Sequence, residues 1–234
     1  MKTIGLLGGM SWQSTMVYYR IINEAMARKL GGLHSARIVL YSVDFAEIEK
    51  MQRQDEWEAA GFRLAEAARN VERAGADFAL ICAITMHKVA DAVQQAIRIP
   101  FVHAADVTAD RIRQAGFDCA GLLGTRYTME KDFFKQRLSA HGLRVLIPDE
   151  EDRKTVHGVI LEELCQGKIS TRSRELVVDM VERMAERGAK GIILGCTELS
   201  LLIRPGDLPV PVFDTTAIHA ESAVEKALET EEVK

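Results

Sequence analysis

The sequence predicts an α/β protein of two pseudo-symmetric lobes, each a mainly parallel sheet flanked by helices. Three observations carry this. Short apolar runs ending in Gly or small polar residues alternate with longer amphipathic stretches along the chain, the pattern of strand–helix units around a parallel sheet. The second half repeats the first in three places and in the same order. The chain has 234 residues, 47% hydrophobic and 27% charged, which is enough for one large core or two small ones.

The runs at 4–7, 36–41, 78–82, 101–102, 120–123, 144–147, 191–194 and 210–213 read as strands. Between them, 57–74 and 173–187 carry helical periodicity, and each stretch closes near a glycine, Gly75 or Gly188, where a helix C-cap is expected. The repeat is explicit. Ile4-Gly5-Leu6-Leu7-Gly8 answers to Ala120-Gly121-Leu122-Leu123-Gly124, the segment 75–85 to 188–198, and Ile99-Pro100-Phe101-Val102-His103 to Val210-Pro211-Val212-Phe213-Asp214. One short match arises easily by chance; three in order indicate a duplication. The lobes are placed at 1–115 and 116–234, and whether the last stretch crosses back onto the first lobe is left open.

Composition excludes several classes of function. The net charge is -4, with Lys and Arg interspersed among Asp and Glu, so there is no basic stripe to track nucleic acid. No apolar run reaches the length of a membrane span, and the N-terminal one is too short for a signal peptide, so no membrane partner and a soluble, cytoplasmic protein are expected. Cys82, Cys119, Cys165 and Cys196 are widely separated and form neither a CxxC pair nor a disulfide scaffold, so free thiols are expected. His103 and His219 are too dispersed to make a zinc site with them, and no metal is expected.

In open parallel sheets, ligands bind beyond the carboxyl ends of the strands. Two strand ends stand out. Gly8-Gly9-Met10-Ser11-Trp12 follows the first strand; it reads equally as a carboxylate-binding loop, with Ser11 as donor, and as a tight turn. It has neither the GxGxxG nor the Walker spacing of a nucleotide site. Gly195-Cys196-Thr197-Glu198 ends a strand of the second half, where a thiol before a helix start is expected to be exposed and acidified. The ungapped repeat pairs Cys196 with Ala83 and not with Cys82, and alternation along a strand turns Cys82 to the other face. Cys119 and Cys165 read as packing. His87 reads either as an orienting group or as a helix-surface residue.

At these residues the chain resembles the aspartate/glutamate racemase family, and its broad-specificity bacterial branch in particular. The resemblance covers nearly the whole chain: Gly8-Gly9-Met10-Ser11-Trp12, Gly31-Gly32-Leu33-His34-Ser35-Ala36, Val43-Asp44-Phe45, Thr85-Met86-His87-Lys88-Val89, 122–129, Gly195-Cys196-Thr197-Glu198 and Pro211-Val212-Phe213-Asp214-Thr215. It implies a cofactor-independent racemase working in a cleft between the lobes on a small carboxylic or amino-acid substrate, with two thiol-like groups on opposite faces of the α-carbon. Cys196 is carried over as one acid/base. Met10, Ser11, Thr85, Thr125 and Thr197 match segments that bind substrate. Gln52 matches a place that meets the substrate side chain, and reads as readily as a solvated helix residue. A homodimer is implied, with the apolar face of 18–30 as its interface.

The chain departs from the pattern at one place. The family has Cys-Asn-Thr or Thr-Asn-Thr where this sequence reads Ala83-Ile84-Thr85. Ala83 cannot move a proton. Ile84 lacks an amide expected to hold the carboxylate, a loss of about 1.5–3 kcal/mol for a hydrogen bond to a charged group. The expectation is therefore an atypical racemase for Asp- or Glu-like acids, with Cys82 as a substitute base if the strand end is irregular. The alternatives are a single-cysteine decarboxylase of malonate-type acids, and a ligand-binding or redesigned member without turnover.

Overall fold

The structure, a computed structural model, describes residues 1–203 and 206–229. The chain forms two compact units, Met1–His103 with the segment from His219 onward, and Ala104–Ile218.

The first unit runs β1 (Ile4–Gly8), α1 (Trp12–Leu30), β2 (Ile38–Ser42), α2 (Phe45–Arg53), α3 (Trp57–Arg73), β3 (Phe78–Ile81), a 3-10 turn (Thr85–Val89) and α4 (Ala90–Ala96). Its strands pair in parallel in the order β2-β1-β3. β1 is buried along its whole length because both faces of the sheet are covered. Leu7, Ala79 and Ile81 pack with Leu64, Ala67, Ala68 and Val71 of α3. Ile4, Leu6, Phe78 and Leu80 pack with Tyr18, Ile22 and Met26 of α1 and with Ala220, Ala223 and Val224 near the C-terminus. Each large aliphatic side chain so buried contributes about 1.5–3 kcal/mol. β2 lies at the edge of the sheet, which leaves Leu40 and Tyr41 exposed.

The second unit runs α5 (Ala104–Gln114), β4 (Cys119–Gly124), α6 (Arg126–Glu130), α7 (Asp132–Ala140), β5 (Arg144–Leu146), α8 (Glu150–Gly158), a π turn (Val159–Glu163), a 3-10 turn (Leu164–Gln166), α9 (Thr171–Glu186), β6 (Ile192–Gly195), α10 (Leu199–Leu202), β7 (Val212–Asp214) and α11 (Thr215–Leu228), whose residues from His219 belong to the first unit. Its four strands are parallel in the order β5-β4-β6-β7. Val177, Met180, Val181 and Met184 of α9 cover the face that carries Leu123, Ile192 and Leu194.

The register of the two sheets follows the sequence repeat. Leu7 lies opposite Ile81 and Leu123 opposite Leu194. Ala79 bridges to Phe101 as Ile192 pairs with Val212. Two matched glycines show what the repeat preserves. A Cβ on Gly5 would stand 2.4 Å from Val71 Cγ1, and one on Gly121 would stand 2.5 Å from Met184 Cε. Val71 and Met184 are themselves equivalent in the repeat, so in each unit a helix lies directly on a bare strand glycine. Gly75 (φ 92) and Gly188 (φ 99) end those helices in the left-handed region that favours glycine.

The structure departs from expectation in three places. The run at 101–102 forms a single bridge and no strand, because Gln94 Oε1 takes the Phe101 N–H at 2.9 Å and Gln94 Nε2 donates to the Ile99 carbonyl. The units divide at 103/104 and not at 115/116. α5 is tied to α7 within the second unit, where Asp106 accepts from Arg137 Nε at 2.6 Å and Nη2 at 2.8 Å. The apolar face of 18–30, assigned to a dimer contact, is instead buried within its own unit: Tyr18, Ile22, Ala25 and Met26 pack on the sheet and on the C-terminal helix segment. Trp12, Met16 and Tyr19 are the exposed apolar residues of α1. Among the described residues no helix is long and apolar enough to cross a membrane.

Candidate active site

Each strand end of the first unit is shaped by a local requirement of the chain. After β1, a Cβ on Gly9 (φ 94) would meet the Val43 carbonyl at 2.2 Å. The Gly9 N–H is taken by Thr15 Oγ1 at 2.9 Å. Met10 is buried, the Met10–Ser11 peptide is cis, and Ser11 caps α1, its Oγ 3.4 Å from the Ser14 nitrogen and 3.2 Å from Ser14 Oγ. The paired glycines thus serve close packing as well as any ligand. Gln52, on α2, is half-buried and donates from Nε2 to Met86 Sδ at 2.8 Å; a thioether only accepts, which fixes that amide's orientation.

After β3, alternation continues past the last paired residue. Phe78, Leu80 and Cys82 belong to one core cluster, Ala79, Ile81 and Ala83 to the other. Cys82 is therefore turned away from the face that Ala83 occupies, and its burial among apolar side chains pushes its thiol far up from the ordinary range. It does not serve as a substitute base. Ala83 is half-buried, and its carbonyl accepts from the Met86 N–H at 3.2 Å and from His87 Nδ1 at 3.1 Å. Ile84 is buried, and Thr85 opens the 3-10 turn half-buried.

The second unit repeats this arrangement with other side chains. Thr125 caps α6 as Ser11 caps α1, with its Oγ1 3.3 Å from the Thr128 nitrogen and 3.2 Å from Thr128 Oγ1. Cys196 shares its cluster with Ile192 and Leu194, the side corresponding to the one that carries Ala83. Thr197 is half-buried, with Thr216 Oγ1 at 3.5 Å. A cavity of about 620 Å³ lies beside β6 and β7, lined by Leu194, Ser200, Ile203, Leu208, Val212 and Asp214.

Cys196 corrects the sequence expectation of an exposed, acidified thiol. It is only 8% exposed, and its Sγ donates to Glu198 Oε2 at 2.9 Å. Burial, and then the Glu198 carboxylate, hold the thiol well above its usual range. α10 spans only Leu199–Leu202, too short for a helix dipole to counter either effect. The resting group is a thiol that gives up a proton, not a thiolate.

Two residues of this site were missed. Glu198 follows Cys196 by two positions in the sequence, and only the structure makes it the thiol's partner. Cys165, assigned to packing, is exposed and sits near enough to Glu198 for that carboxylate, after burial, to help push its thiol up to about 11. The π turn Val159–Glu163, anchored by the Ser173 hydroxyl on Glu163 at 2.6 Å, presents it.

Comparison with known proteins agrees with this geometry. The model of the Asp/Glu/Hydantoin racemase family matches residues 7–223. The fold is similar to that of a Yersinia pestis protein assigned as an Asp/Glu racemase, at 51% identity with a TM-score of 0.94, over 98% of this chain and 100% of that one. It is similar also to an aspartate racemase homologue from Pyrococcus horikoshii OT3, at 36% identity and a TM-score of 0.88 over the same shares of the two chains. In sequence the chain is 23% identical to the broad specificity amino-acid racemase RacX of Bacillus subtilis (strain 168), over 94% of this chain and 96% of that protein.

Proposed function

The chain belongs to the Asp/Glu/hydantoin racemase family, and on that premise we propose that it moves a proton at the α-carbon of a small carboxylic acid, Asp- or Glu-like amino acids first, with Cys196 as the acting acid/base and no cofactor. One observation carries the reading. At equivalent strand ends the chain holds a protonated thiol, Cys196 against Glu198, and a methyl group, Ala83.

An α-proton is very weakly acidic, so the developing enolate-like carboxylate needs donors already in place. Ser11, Thr85, Thr125 and Thr197 are the hydroxyls assigned to that task, Met10 and Ile84 line the pocket, and Gln52 faces the substrate side chain. Cys196 gives its proton to the α-carbon, and its thiolate, beside Glu198, is recharged from the carboxylic acid or from solvent. In the reverse direction the thiolate takes the proton back. With Ala83 opposite in role, exchange runs on one face of the α-carbon and net inversion is slow.

The test is α-proton exchange in D2O followed by NMR, with the L and D forms of glutamate and aspartate, for the protein and for Cys196→Ala. Exchange from one enantiomer that vanishes in the variant supports the reading. No exchange from any of the four sinks it for amino acids. A second reading rests on the apolar wall of Ala83 and buried Ile84. In it a malonate-type acid loses one carboxylate as CO2, the electron pair of the broken C–C bond remains as an enolate, and Cys196 protonates that enolate. CO2 release from substituted malonates distinguishes the two. The proposed assembly is a homodimer, for which light scattering should give twice 26.0 kDa.

A further inference from the structure

In the repeat, residues 87 and 103 occupy the places of Ser200 and Asp214. In the second unit the Ser200 hydroxyl donates to Asp214 Oδ2 at 2.6 Å, while Asp214 Oδ1 accepts from the Thr216 and Ala217 nitrogens at 2.8 and 3.2 Å. This ties the turn after β6, which carries Cys196, to the end of β7. In the first unit the same two places hold imidazoles whose ring centroids are 4.6 Å apart. His219 lies 5.5 Å from His87, and all three rings are buried.

The hydrogen bonds assign the tautomers. A carbonyl oxygen only accepts, so His87 Nδ1, 3.1 Å from the Ala83 carbonyl, carries a proton. His219 Nε2, 2.9 Å from the Val102 carbonyl, carries one too, and its Nδ1 then accepts from the Tyr18 hydroxyl at 2.9 Å. His219 is thus fixed on two sides, and His87 reaches from the cluster to the backbone of residue 83. The titratable groups packed around it are Tyr18 on α1, Cys82 at the end of β3, His103, and His219 on α11.

We propose that His87 and Ser200 are positioning residues at equivalent places, His87 holding the Ala83–Ile84 turn and Ser200 the Cys196 turn, and that the first hold alone is acid-labile because it is built from three packed imidazoles. A second proton on His87 would place a positive charge in a buried space against two other rings. Burial, then His103 and His219, accordingly hold His87 well below the ordinary imidazole range. The Ser200–Asp214 hold contains no imidazole, the one side chain whose unperturbed charge changes between about pH 5 and 8. The inference does not depend on turnover.

The test uses the full chain. Histidine side-chain NMR reads tautomer and titration. Amide hydrogen exchange, corrected for its intrinsic pH dependence, compares Met86, which donates to the Ala83 carbonyl at 3.2 Å, with Leu199, which donates to the Cys196 carbonyl at 3.2 Å. The expected result is Nδ1–H on His87 and Nε2–H on His219. Below about pH 6.5, Met86 should lose protection relative to Leu199 by up to about tenfold per pH unit. His87→Asn, which keeps a neutral donor, should abolish that acid dependence, and Ser200→Ala should lower Leu199 protection equally at every pH. Parallel loss at Met86 and Leu199, or acid dependence that survives in His87→Asn, would overturn the proposal. If His87→Asn does not fold, the pH series on the unaltered protein still decides.

Discussion

Replacing Glu198 by Gln isolates what keeps the Cys196 thiol protonated. Burial acts first and the Glu198 carboxylate, 2.9 Å from Sγ, second. Glutamine keeps the size and an acceptor oxygen, so the substitution removes the charge and leaves burial alone. A like charge at this range shifts a neighbour by about 1–3 pKa units. With about 2 units as the central value, the thiolate fraction below the midpoint rises about a hundredfold. Intrinsic nucleophilicity falls with pKa at a Brønsted slope of about 0.4–0.5, which offsets about tenfold of that gain. Alkylation of Cys196 should therefore be about tenfold faster in Glu198→Gln. The assay is iodoacetamide labelling between about pH 7 and about pH 10, with each cysteine quantified by peptide mass spectrometry. Cys165, raised by burial and then by the same carboxylate, should move in the same direction. Glu198→Asp, which keeps the charge, should remain slow. A Cys196 midpoint that stays in place or rises in the Gln variant would refute the argument that this carboxylate holds the proton.

Three further outcomes are expected. Gly5→Ala and Gly121→Ala each drive a Cβ into a helix side chain at 2.4 or 2.5 Å, and each should destabilise its unit by about 1–3 kcal/mol, read as a lower urea midpoint; a neutral result would mean that Val71 or Met184 can withdraw. His87 has a depressed folded-state pKa, so below about pH 6.5 the unfolded chain binds more protons than the folded one. Stability is then complete above that pH and falls on acidification by at most about 1.4 kcal/mol per unit from this residue, and urea midpoints that rise in acid would contradict it. The double change Ala83→Cys with Ile84→Asn supplies the missing acid/base and amide, and should convert one-face exchange into net racemisation, followed by polarimetry or chiral chromatography.

Much of the fold was legible because the constraints that repeat are local ones. A glycine under a helix side chain, a left-handed glycine after a helix and a fully apolar central strand each mark the sequence directly, and Gly5, Gly121, Gly75 and Gly188 all recur in the structure at matched places. The pairing of Cys196 with Ala83 was legible for the same reason, since a side-chain period of two admits no slip of one residue. Edge features were not. Whether 101–102 forms a strand is decided by the Gln94 side chain, and whether α5 belongs with what precedes or follows it depends on the Arg137–Asp106 pair, neither of which leaves a periodic signal. The environment of Cys196 was misread because Glu198 answers to Thr85 in the repeat, so the duplication offers no matching carboxylate. Cys165 was hidden by the π turn, whose residues Val159, Ile160 and Leu161 look like a continuation of α8.

The two turns that carry residues 83 and 196 lie just past the last paired residues of their strands. Their carbonyls are satisfied inside the turn, by the Met86 and Leu199 N–H groups. Changing the side chain at either position leaves every ladder bond in place, so such a change draws little on the roughly 5–15 kcal/mol that keeps a domain folded. A scaffold of this kind separates the inheritance of shape from the inheritance of chemistry. Acid/base groups can be gained, lost or exchanged by point substitution at two addresses, and a lineage can pass through members with one working group without ever passing through an unfolded one.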